Sequence, residues 1–563
     1  MKKRIASGLV LALILTAFAA GCGGSGSDSG SVRVEKQKTM TEEDAKEELA
    51  SLLKKVDYST VENPAIDIYS DETTETDTLA DIDTFDIVLQ GNGDIDLEIA
   101  APSELCGSAP DDWLIEAGKK FNAKGVEVSG KSVSVTIRKI SSGEAVTYIK
   151  AGVYEPEVYI PSNYALGMML DSSGVGIRKI EDRIAGNTAG ILMKQDVYDT
   201  VSEEYGEVNM ATVLTAANDG KLIFAYTNPY TSATGLNILT AMLAAFDPSD
   251  PLSAKASQAL LDYQKTAPPV AYTTGVLRNQ AKKGVVNAMV MEEQAYINTP
   301  ELKDYVYTPA GIRHDHPVYV FEWTTDEETE AAQQFVDFCK SDDMQRLASE
   351  KGFNRHDDYE SQDSGLTGTQ YNSAQQIWKQ NKNGGKPVVA VFVADVSGSM
   401  DGEPLNSLKS SLINSSVYIG SEHYVGLVSY ASQVTVNLPI APFDATQQAK
   451  FSGEVKALNA GGSTATYDAL CVAMNMIEQQ LEETPDAKPL LFVLTDGAQN
   501  EGYTLERVTG IVGGLQIPVY AIAYNYSDVK DLDVLSGINE AVTIKADSDD
   551  IVNQLRNLFN VNL

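Results

Sequence analysis

At 563 residues the chain exceeds what one hydrophobic core supports, so two to four domains are expected. Its composition is that of a globular protein, 43% hydrophobic and 8% aromatic, but its formal charge is −36. A surface that negative repels nucleic acid and anionic lipid, which argues against DNA or RNA as a partner and leaves room only for a local basic pocket that holds an anion.

The first residues assign a compartment. MKKR is a positively charged start, Ile5 to Phe18 is a mostly apolar run too short for a membrane span, and Ala19, Ala20 and Gly21 precede Cys22. This resembles a bacterial lipoprotein signal ending in a lipobox, with Ala19 where that family usually has Leu. The resemblance implies removal of residues 1–21, lipidation of Cys22 and an extracytoplasmic protein anchored to the cell membrane. An ordinary secretory signal with an incidental Cys is the alternative. Residues 22–38 read as a flexible tether, nearly all Gly and Ser up to Gly30. Thr39 with Glu42 has the spacing of a capping box, and Ala45, Leu49, Leu52, Leu53 and Val56 share one helical face. Residues 39–95 are therefore expected to form an acidic N-terminal extension with a short helix, packed on the domain that begins near Asp96.

Ile95 to Glu98 begins an alternating strand that runs into Pro102, Ser103 and Glu104, and a helix is predicted around Trp113 to Phe121. Val133 to Ile140 is another strand, ending in Ser141, Ser142 and Gly143. In Leu222 to Leu236 a strand ends, a turn comes at Asn228 and Pro229, and Thr231, Ser232 and Thr234 gather at the start of an apolar helix reaching Phe246. Helix starts carry unpaired N–H groups and partial positive charge, so these hydroxyls suit an anion or carboxylate; simple N-capping is the alternative. The order of these segments, with PAGIRHDHPVY and a helix after them, resembles bacterial extracellular solute-binding proteins over residues 96–352. The resemblance implies two lobes with a solute between them, held by Ser103, Ser141 and Ser142 from one lobe and by Thr227, Asn228, Ser232 and Thr234 from the other.

His314, Asp315 and His316 do not read as a metal site, because neighbours in an extended segment point to opposite faces. Glu292 and Glu293 could line the cleft or form a solvated face. Residues 353–386 are polar and read as a linker with one helix around Ser373 to Gln380.

The last part of the chain is organised around VVAVFVADVSGSM. Val388 to Ala394 is an unbroken apolar run, the pattern of a strand buried on both faces of a parallel sheet, and it delivers Asp395, Ser397 and Ser399 at its carboxyl end. Thr464 lies in a Gly-rich loop before a helix, and Asp496 ends a second buried strand, Leu490 to Thr495. These are hard oxygen donors, suited to a hard divalent cation rather than zinc or copper. The set resembles the metal-ion-dependent adhesion site of von Willebrand factor type A (vWA) domains, over residues 387–563. The resemblance implies Mg2+ (or Mn2+ or Ca2+) held by Asp395, Ser397, Ser399 and Thr464, with Asp496 acting through water and a protein partner supplying a carboxylate. Ser463 and Thr466 are neighbouring alternatives to Thr464.

Among the cysteines, Cys471 falls on the apolar face of a helix as a core thiol, and Cys106 and Cys339 could pair in an oxidising compartment. No nucleophile and base are matched, so the expectation is a binding protein, not an enzyme. The expected fold class is α/β: a two-lobed periplasmic-binding-protein-like domain followed by a Rossmann-like vWA domain, a parallel sheet flanked by helices. The expected function is a surface lipoprotein that binds a small solute, with an anion as one candidate, and a protein partner through its metal. The alternatives are a receptor of an ABC-type transporter with the vWA domain for docking or regulation, and a scaffold or sensor in envelope stress or toxic-anion resistance.

Overall fold

The computed structural model describes residues 40–67, 79, 81–266, 268–271, 274–282, 286–524, 528–539, 541, 543–546, 555, 558–559 and 562–563. The signal and tether, Cys22 and Thr39 lie outside these residues. No helix among them is long and apolar enough to cross a membrane.

The protein is mixed α/β, with three helix-flanked sheets. In the first, Lys131–Lys139 pairs in parallel with Ile95–Ala101, which pairs in parallel with Val158–Tyr159. The second holds Phe224–Thr227, Ala288–Glu292, Thr188–Lys194 and Tyr305–Arg313 side by side. The chain then returns to the first sheet as Val318–Phe321. Two segments therefore cross between the lobes, and they bond to each other: His314 N donates to Asn187 O (3.0 Å) and Ile184 N to His316 O (3.4 Å). His316 has φ +50°, which breaks the extended run, so both histidine side chains turn inward and are fully buried.

The third sheet carries Val388–Asp395 at its centre, every residue buried, between the parallel strands Tyr424–Tyr430 and Lys488–Thr495. Its apolar side chains divide between two cores, one on each face, as an unbroken apolar run requires. The sheet is not wholly parallel, because Val434–Pro442 pairs antiparallel with Tyr424–Tyr430. At its outer end Pro439 and Pro442 are exposed, while Ile440 still packs against one core.

The N-terminal extension divides: Ile87–Leu89 pairs antiparallel with Lys131–Lys139 of the first lobe, as expected, but the start of the extension packs on the third sheet's domain. Its helix Glu42–Leu53 is capped by Thr41, which accepts from Asp44 N (3.2 Å). Ala45, Leu49 and Leu52 are buried in a core of the third sheet's domain, and Tyr503 donates to Leu52 O (2.9 Å). Tyr58–Thr60 then adds a parallel strand at the edge of that sheet, beside Val434–Val436. The two-lobed body is thus inserted in the chain between the edge strand and the central strand of one sheet. We expect Leu49→Ala to cost about 2–5 kcal/mol in urea unfolding of the full chain followed by circular dichroism. A detached extension would give a change within about 0.5 kcal/mol.

The polar stretch expected as a linker is also structured. Gly368–Asn381 is a helix with a capping box from Thr367 and Gln370. Its start packs on the first lobe, where Tyr371 joins the core around Ala165 and Leu166, and its end on the second, where Ala374 and Trp378 are buried. Trp378 Nε1 donates to Tyr226 OH (2.7 Å) and Gln375 Nε2 to Pro229 O (2.9 Å). Directly after this helix, the buried Lys382 reaches Phe559 O (3.5 Å) at the end of the chain.

Candidate metal site and interlobe cleft

The central strand of the third sheet ends in Asp395, whose side chain is fully buried. Its carboxylate is held on both oxygens: Ser397 N donates to Oδ1 (2.8 Å) and Thr495 Oγ1 to Oδ2 (2.6 Å). Ser397 Oγ lies 3.1 Å from Ser399 Oγ, which donates to Asp496 Oδ1 (2.8 Å). Asp395, Ser397, Ser399 and Asp496 are therefore one connected set at the carboxyl ends of two adjacent strands. The Gly-rich loop is tied to the same turn, since Gly461 N donates to Val396 O (2.8 Å) and Gly398 N to Gly462 O (3.0 Å). Gly462, at φ +85°, takes a left-handed conformation that suits glycine. Thr464 is fixed by its main chain, which accepts from Asn500 N (3.0 Å) and donates to Asn500 Oδ1 (2.9 Å). Of the neighbouring alternatives, Thr466 is buried and its hydroxyl bonds Tyr430 OH (3.4 Å).

Burial pushes the Asp395 carboxyl above the ordinary carboxylate range, against the hydrogen bonds from Thr495 and Ser397, and the Asp496 charge adds to the effect. A buried acid beside a second acid and three hydroxyl-bearing residues is a donor set that fits a hard divalent cation. Thr495 and Asn500 carry part of this arrangement and were not singled out in the sequence. Thr495 directly precedes Asp496 in a strand, where a threonine reads as an ordinary β-branched residue.

The two lobes face each other across a cleft of about 480 Å³, whose walls include Ser103, Glu104 and Lys139 from the first lobe and Arg278, Glu292 and Gln294 from the second. Of the seven residues expected to hold a solute, Ser103 lines it. Ser141 caps the helix Ser142–Lys150 by accepting from Glu144 N (3.4 Å). Ser142 is buried against Ser162 (Oγ to Oγ 3.1 Å), and the adjacent Gly143 N donates across the lobes to Thr231 O (3.3 Å). A side chain at Gly143 would meet Tyr230 O at 2.2 Å, so the contact requires glycine. Thr227 Oγ1 donates to Ser232 Oγ (3.0 Å), and Ser232 caps Gly235 N (3.2 Å). Asn228 accepts from Tyr230 N (2.9 Å). Thr234 donates to the carboxylate of Glu292, so the protein's own acid sits beside the helix start that suits an outside anion.

Glu292 and Glu293 are both about 4% exposed, which excludes a solvated face. Burial, and then the Glu104 charge, drives the Glu292 carboxyl above its ordinary range. Glu293 instead pairs with His356 Nδ1 (2.7 Å). His314 is held between the side-chain amides of Asn163 and Asn237 (3.2 Å each), and burial drives its pKa down to about 3, which keeps the ring neutral. His316 Nδ1 bonds Ala185 O (2.8 Å). The His-Asp-His segment therefore braces the crossing between the lobes. Cys106 and Cys339 are buried free thiols, not a disulfide, and Cys471 is a core thiol. Asp111 clasps the lobes, accepting from Arg278 Nη1 and Nη2 (3.1 Å each) and from Gln294 Nε2 (2.8 Å). Single polar residues carry no periodic signal, which is why this clasp is invisible in the sequence.

Residues 105–354 match the family described as bacterial extracellular solute-binding protein, and residues 390–558 match the von Willebrand factor type A domain. Among curated proteins the chain is similar to inter-alpha-trypsin inhibitor heavy chain H3 of Bos taurus, 29% identical over 184 residues, and of Homo sapiens, 28% identical over 183 residues. Each match covers 29% of this chain and spans a fifth of the relative's length, 20%. Among solved structures, iron-bound HitA from Pseudomonas aeruginosa is 15% identical, with 52% of this chain and 99% of that chain covered and a TM-score of 0.38. A von Willebrand factor type A protein from Catenulispora acidiphila is 18% identical, with 31% of this chain and 42% of that chain covered and a TM-score of 0.29. The chain thus carries a bacterial extracellular solute-binding domain followed by a von Willebrand factor type A domain.

Proposed function

We propose that this is an extracytoplasmic binding protein, anchored to the membrane through a lipid on Cys22, that engages a protein partner through a divalent cation and a small solute through its interlobe cleft. The observation that carries the metal reading is the connected set of Asp395, Ser397, Ser399 and Asp496, with Thr464 fixed at the adjoining loop. Asp395, Ser397, Ser399 and Thr464 would hold Mg2+, with Asp496 placed to act through water. When bound, the cation offers an open coordination position to a partner's carboxylate. The chain's own residues position that site: Thr495 and the Ser397 amide orient the Asp395 carboxylate, and Asn500 fixes the Thr464 loop. Their role is binding, and the reading assigns no catalytic step.

Titration of MgCl2 into the EDTA-stripped and dialysed full chain, followed by calorimetry, tests this directly. Saturable binding of one ion is expected. No heat with Mg2+, Mn2+ or Ca2+ would remove the metal-dependent reading.

A second reading, in which the vWA domain regulates solute delivery, is favoured by one feature. The helix Gly368–Asn381 touches both lobes and leads straight into the vWA domain, so a change in lobe separation would be felt at its root.

A further inference from the structure

The charges that line the interlobe cleft are not equally compensated. Each basic side chain on its walls already has an acid of its own: Lys139 pairs with Asp86 (3.1 Å), Arg278 with Asp111 (3.1 Å) and Lys282 with Glu301 (3.1 Å). Among the described residues, the two glutamates on those walls have less: Glu292 has no Lys, Arg or His partner, and Glu104 has His316 alone. Glu292 accepts from the Thr234 hydroxyl, and Glu104 accepts from the Ser162 hydroxyl, with His316 Nε2 3.7 Å away. A third acceptor completes the set. Gln294 is fully buried and lines the cleft; its Nε2 is taken by Asp111, while its Oε1 has no hydrogen-bond partner among the described residues. A buried carbonyl oxygen without a donor is costly, and such a group in a cleft marks a place where a ligand's N–H belongs.

We propose that the cleft takes a small organic ammonium ion, held by the carboxylates of Glu104 and Glu292 and by the Gln294 carbonyl; this rests on the cleft being the solute site. All three groups accept, two carry negative charge, and an ammonium group donates up to three hydrogen bonds while supplying the missing positive charge. An oxyanion would meet the opposite: two buried carboxylates and a carbonyl oxygen, with the neighbouring helix start already faced by Glu292. Burial first, and then the Glu104 charge, raises the Glu292 carboxyl, an effect that a bound cation would oppose. A volume of about 480 Å³ suits a short amine rather than a peptide.

The test is calorimetric titration of the full chain with 1,4-diaminobutane, which carries two ammonium groups, and with γ-aminobutyrate, which carries one and a carboxylate. Sulfate and molybdate serve as the opposing class. Binding of at least one amine is expected, weakened at least about tenfold by Glu292→Gln and by Glu104→Gln, each of which keeps the shape and removes the charge. If one variant fails to fold, the other and the contrast between amines and anions decide. Binding of sulfate or molybdate with no response to either amine would overturn the ammonium assignment and keep the cleft as a solute site. Silence with both classes would remove the solute reading and this inference together.

Discussion

Asp395→Ala is expected to weaken Mg2+ binding by the full chain at least about 100-fold, and to abolish any partner that docks through the ion. Loss of groups that only orient a metal ligand costs about 10–100-fold, and in the proposed site Asp395 is the one carboxylate assigned to direct contact with the ion. Asp496→Asn should fall in that lower range, because Asp496 reaches the set through Ser399. The comparison needs a control for folding. Removing Asp395 leaves the Ser397 amide without its acceptor, while Thr495 Oγ1 keeps Gly497 O (3.1 Å), and it also relieves the burial of an acid. Melting of both proteins in EDTA separates the two effects: similar midpoints with lost Mg2+ binding are the expected result. Equal Mg2+ affinity in wild type and Asp395→Ala would place the ion elsewhere, and partner binding that persists in EDTA would make the site irrelevant to recognition.

Trp378→Ala should be among the most destabilising single changes in the molecule, about 3–5 kcal/mol. The indole is fully buried against Tyr230 (ring centroids 6.0 Å apart) in the second lobe's core, and its N–H donates to Tyr226 OH. Replacement opens a cavity, and it removes one of two donors to that hydroxyl, Gln264 supplying the other. Urea unfolding of the solute-binding domain is the measurement, with the shift read in its first transition because a chain of several domains need not unfold in one step. A change below about 0.5 kcal/mol would mean that the stretch before Val388 is a linker after all.

Those two residues differ in how visible they are beforehand. The candidate metal set is legible because its two acids sit at the ends of strong local signals. An unbroken apolar strand announces a buried position, and Asp395 and Asp496 are the first acids after two such strands. A parallel sheet aligns strand ends, so two separate signals converge on one point without any need to know the packing. Trp378 lies instead in a stretch whose average polarity is high, and its few apolar residues split between two cores, Tyr371 in one and Ala374 with Trp378 in the other. Overall polarity suggests a linker, while what stabilises this helix is tertiary packing on both lobes.

The solute side shows the limit more clearly. Hydroxyls at helix starts serve either a ligand or the chain's own amides, and local sequence is the same in both cases. Ser141 and Ser232 act as caps, and Thr234 serves Glu292, whose place in the sequence is 58 residues away. The charge balance of the cleft depends on pairs such as Arg278 with Asp111, 167 residues apart, and no composition or periodicity reports it. Likewise, Glu42–Leu53 is recognisable as an amphipathic helix, but the surface it covers belongs to strands and helices beyond residue 388.

Local pattern thus specified the α/β class, the solute-binding and vWA parts, and the acids and hydroxyls of the candidate metal set, because these arise from apolar periodicity and from the residues that end each strand. The packing of distant segments set the rest: where the N-terminal helix docks, that the helix before Val388 packs on both lobes, and that Glu292 lines the cleft without a basic partner among the described residues. Those features come from contacts between residues far apart in the chain, where burial and pairing fix the energy of a polar group and local pattern carries no trace of its partner.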